Sequence, residues 1–107
     1  MKRGNIVTVV SNGDYGKPRP ALIVQSDIFS QHPSVVVAPF TSVLTGASVF
    51  RYRMEPDDSN GLNCISEVML DKLTTVPRHR LGNFCGSASK KDMQLVTQLM
   101  AVFLGIV

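Results

Sequence analysis

Short apolar runs alternate with turn-forming clusters until about residue 87, where the spacing of hydrophobic positions changes from strand-like to helical. Residues 6–10 are apolar or β-branched and end in Ser11-Asn12-Gly13-Asp14, which predicts a strand and then a loop. The continuous run 21–25 predicts a second strand buried on both faces. Residues 28–34 have no period and contain Pro33, so they read as an irregular connection carrying His32. A third strand over 35–38, bounded by Pro39, delivers Phe40, Thr41 and Ser42 to its end. Residues 44–48 form a loop with Gly46 as its left-handed residue, after which 49–54 alternate by type. Arg51 and Arg53 fall on one face of that strand, and Phe50, Tyr52 and Met54 on the other.

The acidic segment 55–61, with Pro56 and Gly61, is the strongest turn signal in the chain. It leads into a strand over 64–70, with Ser66 and Val68 on one face and Glu67 and Met69 on the other. Asp71 and Lys72 leave that strand, 73–76 form a short one, and 77–82 a basic turn containing Arg78, His79 and Arg80. From Ser87 onward Met93, Val96, Met100 and Phe103 recur at helical spacing, and Ser89 with Asp92 resembles a capping box with a short acid. A second apolar stripe, Leu95, Leu99, Val102 and Ile106, is wider than one face packed on a sheet requires and implies a partner.

At 107 residues and 44% hydrophobic content the chain is expected to form one domain over 1–107 with a real core. Its formal charge of +3 suits a partner that carries phosphate without demanding one. Cys64 and Cys85 lack CxxC spacing and a nearby His pair, so neither zinc nor thioredoxin-like chemistry is supported. They read as free, buried thiols in a reducing compartment. No signal-peptide pattern opens the chain, and Gln94, Thr97 and Gln98 interrupt the last apolar stretch, so a cytoplasmic protein that does not span a membrane is expected.

The candidate chemistry centres on Gly16-Lys17-Pro18-Arg19-Pro20, where a cationic turn runs into an apolar strand. Two prolines hold the backbone extended on either side of Arg19, which keeps a guanidinium where a phosphate could meet it. Thr41 and Ser42 offer hydroxyl donors at the end of the third strand, or else satisfy a local turn. Asp71 can act as a base, hold an arginine or cap a turn, and His79 brings a titratable imidazole to a basic turn.

Three stretches, residues 1–7, residues 16–25, and residues 35–42 with Pro39-Phe40-Thr41-Ser42, resemble in order and spacing the MazF/PemK toxins of bacterial toxin–antitoxin systems. The resemblance implies a mainly β fold, an SH3-like small barrel of strongly bent antiparallel sheet with a C-terminal α-helix. It also implies a homodimer that cleaves single-stranded RNA without a metal or other cofactor, and an antitoxin protein that blocks the groove. In that reaction the ribose 2′-OH attacks the adjacent phosphorus and leaves a 2′,3′-cyclic phosphate and a 5′-OH. The family's motif arginine falls on Arg19 and its strand-end hydroxyl on Thr41, which makes these two the implied catalytic residues. The 2′-OH proton has two candidate acceptors, Asp71 and His79. Some relatives carry an Arg-x-Asp pair here, but Met69 stands where that arginine would be.

In this frame Lys17, Ser42, Arg51, Arg53, Arg78 and Arg80 become RNA-binding candidates, with Phe40 as a stacking platform and Tyr52 in the core. A second class on the same fold, the CcdB toxins that bind DNA gyrase, is resembled by Phe103-Leu104-Gly105-Ile106. Leu104 stands where that ending has an aromatic, and Val107 follows it. Several matches in register favour the ribonuclease over this one short match.

Overall fold

Apolar runs without alternation can form strands only where both faces are covered, and this chain covers them with two separate cores. The computed structural model describes residues 1–10 and 17–107; the turn expected at Ser11-Asn12-Gly13-Asp14 and the Gly16 of the cationic motif lie outside the described residues. The strands are β1 (Asn5–Val9), β2 (Arg19–Ile23), β3 (Ser34–Thr41), β4 (Arg51–Met54), β5 (Ser66–Met69), β6 (Thr74–Pro77) and β7 (Leu81–Ser87), followed by helix α1 (Lys90–Phe103). All pairings are antiparallel, in the order β4-β5-β3-β2-β1-β7, with β6 attached to β3.

The mainly β content and the terminal helix agree with the sequence, but the expected barrel of strongly bent sheet does not form. The path of paired strands is open: among the described residues no ladder joins β7 to β4 or to β6. The sheet is therefore neither closed nor strongly curled, because closure needs a ladder between the terminal strands. Pro77, which lacks an N–H, ends β6, and a 3-10 turn at Arg78–Arg80 separates it from β7.

β3 runs through Pro39 instead of stopping there. Val24 N–H donates to Val36 O at 3.2 Å, so the even-numbered backbone groups of β3 face β2 and the nitrogen of Pro39 faces the other edge. On that edge the β6 ladder ends at Val37 and the β5 ladder begins at Phe40, so proline occupies a gap where no donor is needed.

Alternation along the strands sorts the two cores. Ile6, Leu22, Ala38, Phe40, Val68 and Leu70 pack together on the face that carries α1, which inserts Val96. Val7, Val9, Ala21, Ile23, Val35, Val37 and Val76 form the other cluster. Ser89 caps α1 by accepting from Asp92 N at 3.0 Å, while the Asp92 carboxylate takes the Tyr52 hydroxyl instead of closing a reciprocal box. Of the two apolar stripes, Met93, Val96, Leu99 and Met100 pack on the sheet, while Leu95, Val102 and Ile106 are exposed.

β7 was not legible in the sequence, since Leu-Gly-Asn-Phe-Cys-Gly-Ser has two glycines and little strand propensity. The glycines are there for close approach. A Cβ on Gly86 would lie 2.4 Å from Ser59 O and from Asn60 C, and one on Gly82 would lie 2.4 Å from Thr8 Oγ1.

Candidate active site

β2 and β3 pair with Ile23 opposite Val37, Leu22 opposite Ala38 and Ala21 opposite Pro39. Carried two residues further, this register sets Arg19 opposite Thr41 at the ends of the two strands. Both lie on the face of Ala21, Ile23 and Val37, because alternate residues of a strand share a face. Opposed antiparallel residues hold their Cβ atoms about 4.5–5.5 Å apart, so a guanidinium and a hydroxyl here can reach one anion. Arg19 is exposed and Thr41 half-buried. Val43 N donates to Thr41 Oγ1 at 3.1 Å, which closes a local turn and leaves the hydroxyl proton of Thr41 to be donated elsewhere.

Two cavities meet at this point. One, of about 300 Å³, is walled by apolar side chains that include Val37, Pro39, Met69 and Val76. The other, of about 450 Å³, is more polar and takes in Thr8, Ser42, Asn63, Cys64, Ser66 and Cys85. Arg19, Pro20, Phe40 and Thr41 line both and form the ridge between them. Ser42 is exposed on the polar side, and Lys17 is exposed two residues before Arg19.

Phe40 underlies the ridge as a core residue, and the other candidates do not converge here. Phe40 is only 7% exposed and packs with Ile6 and Leu22, so its ring belongs to the core and offers no open stacking platform. β3 continues past Pro39, and alternation then points Phe40 the same way as Ala38. Arg51 and Arg53 do share a face, but Arg51 is half-buried and committed. Its Nε lies 3.2 Å from Asp71 Oδ1, its Nη2 3.4 Å from Asp71 Oδ2, and its Nη1 3.6 Å from Glu67 Oε1. The paired carboxylates hold the Arg51 pKa above its ordinary value, Asp71 first among them. Arg53 is exposed beside Glu55, Asp57 and Asp92, in a different depression from the ridge.

Asp71 is thus the acceptor for an arginine, and it lines neither cavity. His79 is exposed in the 3-10 turn after β6 and lines neither cavity. Arg78 donates to His32 O at 2.9 Å and to Phe29 O at 3.4 Å, which pins the connection between β2 and β3. Arg80 is half-buried in the same turn as His79. His32 Nδ1 accepts from Ser34 N at 3.1 Å, a local role. The expectation of buried thiols fails: Cys64 is exposed because β5 begins only at Ser66, and Cys85 is half-buried.

One residue important to this end of the sheet was missed. Glu67 is 2% exposed, opposite Thr41 in the ladder. Its carboxylate accepts from Gly46 N and Thr45 N at 2.9 Å each and from the Thr45 hydroxyl at 3.0 Å. These donors, led by the Gly46 N–H, outweigh burial and hold the Glu67 pKa below its usual value. Glu67 thereby ties the loop that follows Ser42 to β5. The available signal was an acid at an inward position of a predicted strand, facing arginines on the neighbouring one.

Among the described residues no three His, Cys, Asp or Glu side chains cluster as a metal site. No described helix is long and apolar enough to cross a membrane. The apparent gyrase-like ending serves to stop α1. Gly105 at φ 73° donates to Val102 O at 3.1 Å and Ile106 N to Ala101 O at 2.8 Å, a Schellman arrangement.

Residues 2–104 match the family model described as PemK-like, MazF-like toxin of type II toxin-antitoxin system. A relative in Mycolicibacterium smegmatis, described as a probable endoribonuclease MazF, is 46% identical over 107 residues, covering 99% of this chain and 98% of its own. An endoribonuclease MazF of Staphylococcus saprophyticus is 25% identical over 111 residues, covering 99% and 92%. The fold is shared with an endoribonuclease from a mycobacterial species solved in complex with its cognate antitoxin. That structure superimposes with a TM-score of 0.85 at 23% identity, over 100% of this chain and 97% of the other. A match across nearly the whole chain, with a relative of almost equal length at 46% identity, shows that the chain belongs to the PemK-like, MazF-like toxins of type II toxin–antitoxin systems.

Proposed function

We propose that the Arg19–Thr41 ridge is where this toxin, a MazF-family endoribonuclease, cleaves single-stranded RNA and so stops translation and growth. The reading is carried by one observation: Arg19 and Thr41, at the ends of the paired strands β2 and β3, line the same two cavities and bring a guanidinium and a hydroxyl donor to the ridge between them. Cleavage by the 2′-OH builds charge on the non-bridging oxygens of a crowded phosphorane, and the most useful thing a protein can supply there is fixed donors. Arg19 offers a planar fork of N–H groups to two of those oxygens and can protonate the departing 5′-oxygen. Thr41 donates a hydrogen bond to one of the same non-bridging oxygens, and the 2′-OH proton passes to solvent water, since Asp71 and His79 line neither cavity. The Pro18 and Pro20 flanks keep Arg19 extended, so little ordering entropy is lost when the phosphate arrives. Lys17, exposed two residues before Arg19, and Ser42, on the polar side of the ridge, extend the positive and donor surface along the RNA backbone. This chemistry needs no metal.

The partner proteins follow from the same surface. The exposed apolar residues Leu95 and Val102 of α1, with Ile106 just beyond its end, are suited to a second copy of the chain, giving a homodimer. An antitoxin is the natural inhibitor of such a site, in keeping with the antitoxin complex of the structural relative. An antitoxin segment with acidic side chains would suit the Lys17 and Arg19 surface.

The test is incubation of the purified protein with a long single-stranded RNA in excess EDTA, with the new ends mapped, beside an Arg19→Ala variant of proven fold. Sequence-restricted cuts bearing 5′-OH ends, lost in the variant, are expected. RNA left intact by the wild-type protein, or cuts that persist at the same rate in the variant, would reject this assignment of the ridge.

A further inference from the structure

We infer that the apolar cavity beside Arg19 is a seat for one nucleobase adjoining the scissile phosphate, selected by shape through Met69 and Thr74. The inference rests on the ridge being the cleavage site. A phosphate held between Arg19 and Thr41 has one nucleoside on each side, and in unpaired RNA those bases can be splayed apart. The ridge separates two cavities of different chemistry, so the two bases meet different walls.

The smaller cavity exists because β3 changes partners. Its outer edge pairs with β6 up to Val37 and with β5 from Phe40, and the fork leaves a gap at Ala38 and Pro39 where no ladder crosses. Side chains of both branches wall that gap: Met69 from β5, Thr74 and Val76 from β6. At about 300 Å³ it stands at the lower bound of small-molecule pockets, suited to one planar ring system and too small for two nucleotides. Away from Arg19 and Thr41 on the ridge, Thr74 is its one polar side chain. The Thr74 hydroxyl already donates to Lys72 O at 2.9 Å, and Pro39 has no N–H to offer. A wall of methyl groups, a thioether and a proline ring can stack on a base and measure its size, but reads few of its edge groups. The larger cavity, with Thr8, Ser42 and Asn63, offers hydrogen bonds to the other base. Discrimination on the two sides of the cut is therefore of two kinds, by size on the apolar side and by edge on the polar side.

The test maps cut sites on a randomised single-stranded RNA pool for the wild-type protein, Met69→Ala, Thr74→Phe and Arg19→Ala, with folding of each checked by circular dichroism. Met69→Ala removes three heavy atoms, enlarges the seat and is expected to relax preference at one nucleotide next to the cut by about tenfold or more, since a single methylene in an apolar pocket is already worth about that much. Thr74→Phe, at an exposed position, fills the seat and is expected to shift preference at that same nucleotide toward the smaller bases. The nucleotide on the other side of the cut keeps its wild-type preference in both. Two active variants with unchanged preference at both nucleotides, or with both shifted alike, overturn the seat while leaving Arg19-dependent cleavage standing. If the wild-type protein itself makes no cuts, or if Arg19→Ala cuts as well as wild type, the ridge assignment fails and the seat with it.

Discussion

Replacing Asn60 by alanine is predicted to destabilise the protein by about 2–4 kcal/mol, far more than an ordinary loop change. Asn60 sits in the acidic connection between β4 and β5, yet it is 0% exposed. Its Oδ1 accepts from Leu62 N at 3.0 Å and Asp57 N at 3.2 Å, and its Nδ2 donates to Glu55 O at 2.8 Å. Alanine removes all three bonds, each worth about 0.5–1.5 kcal/mol net, and water can compensate only at the exposed Glu55 and Asp57. The amide of half-buried Leu62 is left without its acceptor, which adds a desolvation cost of about 1–3 kcal/mol. Some relaxation of the loop brings the sum to the stated range. The connection also docks on β7, where Ser87 N donates to Ser59 O at 2.8 Å, and it supplies Leu62 and Asn63 to the larger cavity. Urea unfolding followed by far-ultraviolet circular dichroism should show the midpoint falling by roughly 1–3 M at an unchanged slope. Amide exchange should rise first at Leu62. A loss below about 0.5 kcal/mol would refute the argument, because it would mean that these bonds are no better than those the open loop makes with water.

Gly86→Ala should lower the melting temperature by about 10 °C or more, since its Cβ would collide with backbone atoms of Ser59 and Asn60 that cannot step aside; thermal denaturation decides it. Glu67→Gln should release the loop at Thr45 and Gly46, seen as faster amide exchange there, with β1 and β2 unaffected. Because the folded pKa of Glu67 is depressed, its contribution is fully present above the unfolded carboxylate value of about 4.3 and is lost as pH falls through the folded value. Acid titration of stability should therefore be shallower in the glutamine variant over that window. Tyr52 has the opposite sign: burial and the Asp92 carboxylate push its phenol up to about 12. Its contribution is intact below the unfolded value of about 10 and is lost as pH rises toward 12, so Tyr52→Phe should remove that alkaline slope. Ultraviolet titration of the phenolate checks this directly.

The helix was legible because everything that makes it is local. Ser89 caps it, and Met93, Val96 and Met100 repeat at its period, whereas its stop at Gly105 read in the sequence only as part of a gyrase-like ending. The strands with continuous or alternating runs were legible for the same reason, although Pro39 hid the second half of β3. Arg19 between two prolines and Thr41 at a strand end could be singled out from neighbouring residues alone.

What the linear chain could not decide is which of its charges are already spoken for. Arg51 looks like a groove residue until Asp71, twenty positions away, takes two of its donors, and the same contact removes Asp71 from the cavities. Glu67 looks unremarkable until the loop carrying Thr45 folds onto it. Phe40 turns inward only because β3 outlasts its proline, and β7 is a strand only because Gly82 and Gly86 let Thr8 and Asn60 come close. An open sheet instead of a barrel is likewise a matter of which distant edges meet. Local pattern is set by propensity and side-chain period over a few residues, and it survives in the sequence. Pairings across twenty to eighty residues depend on the competition among partners in the folded chain, which only the tertiary structure resolves.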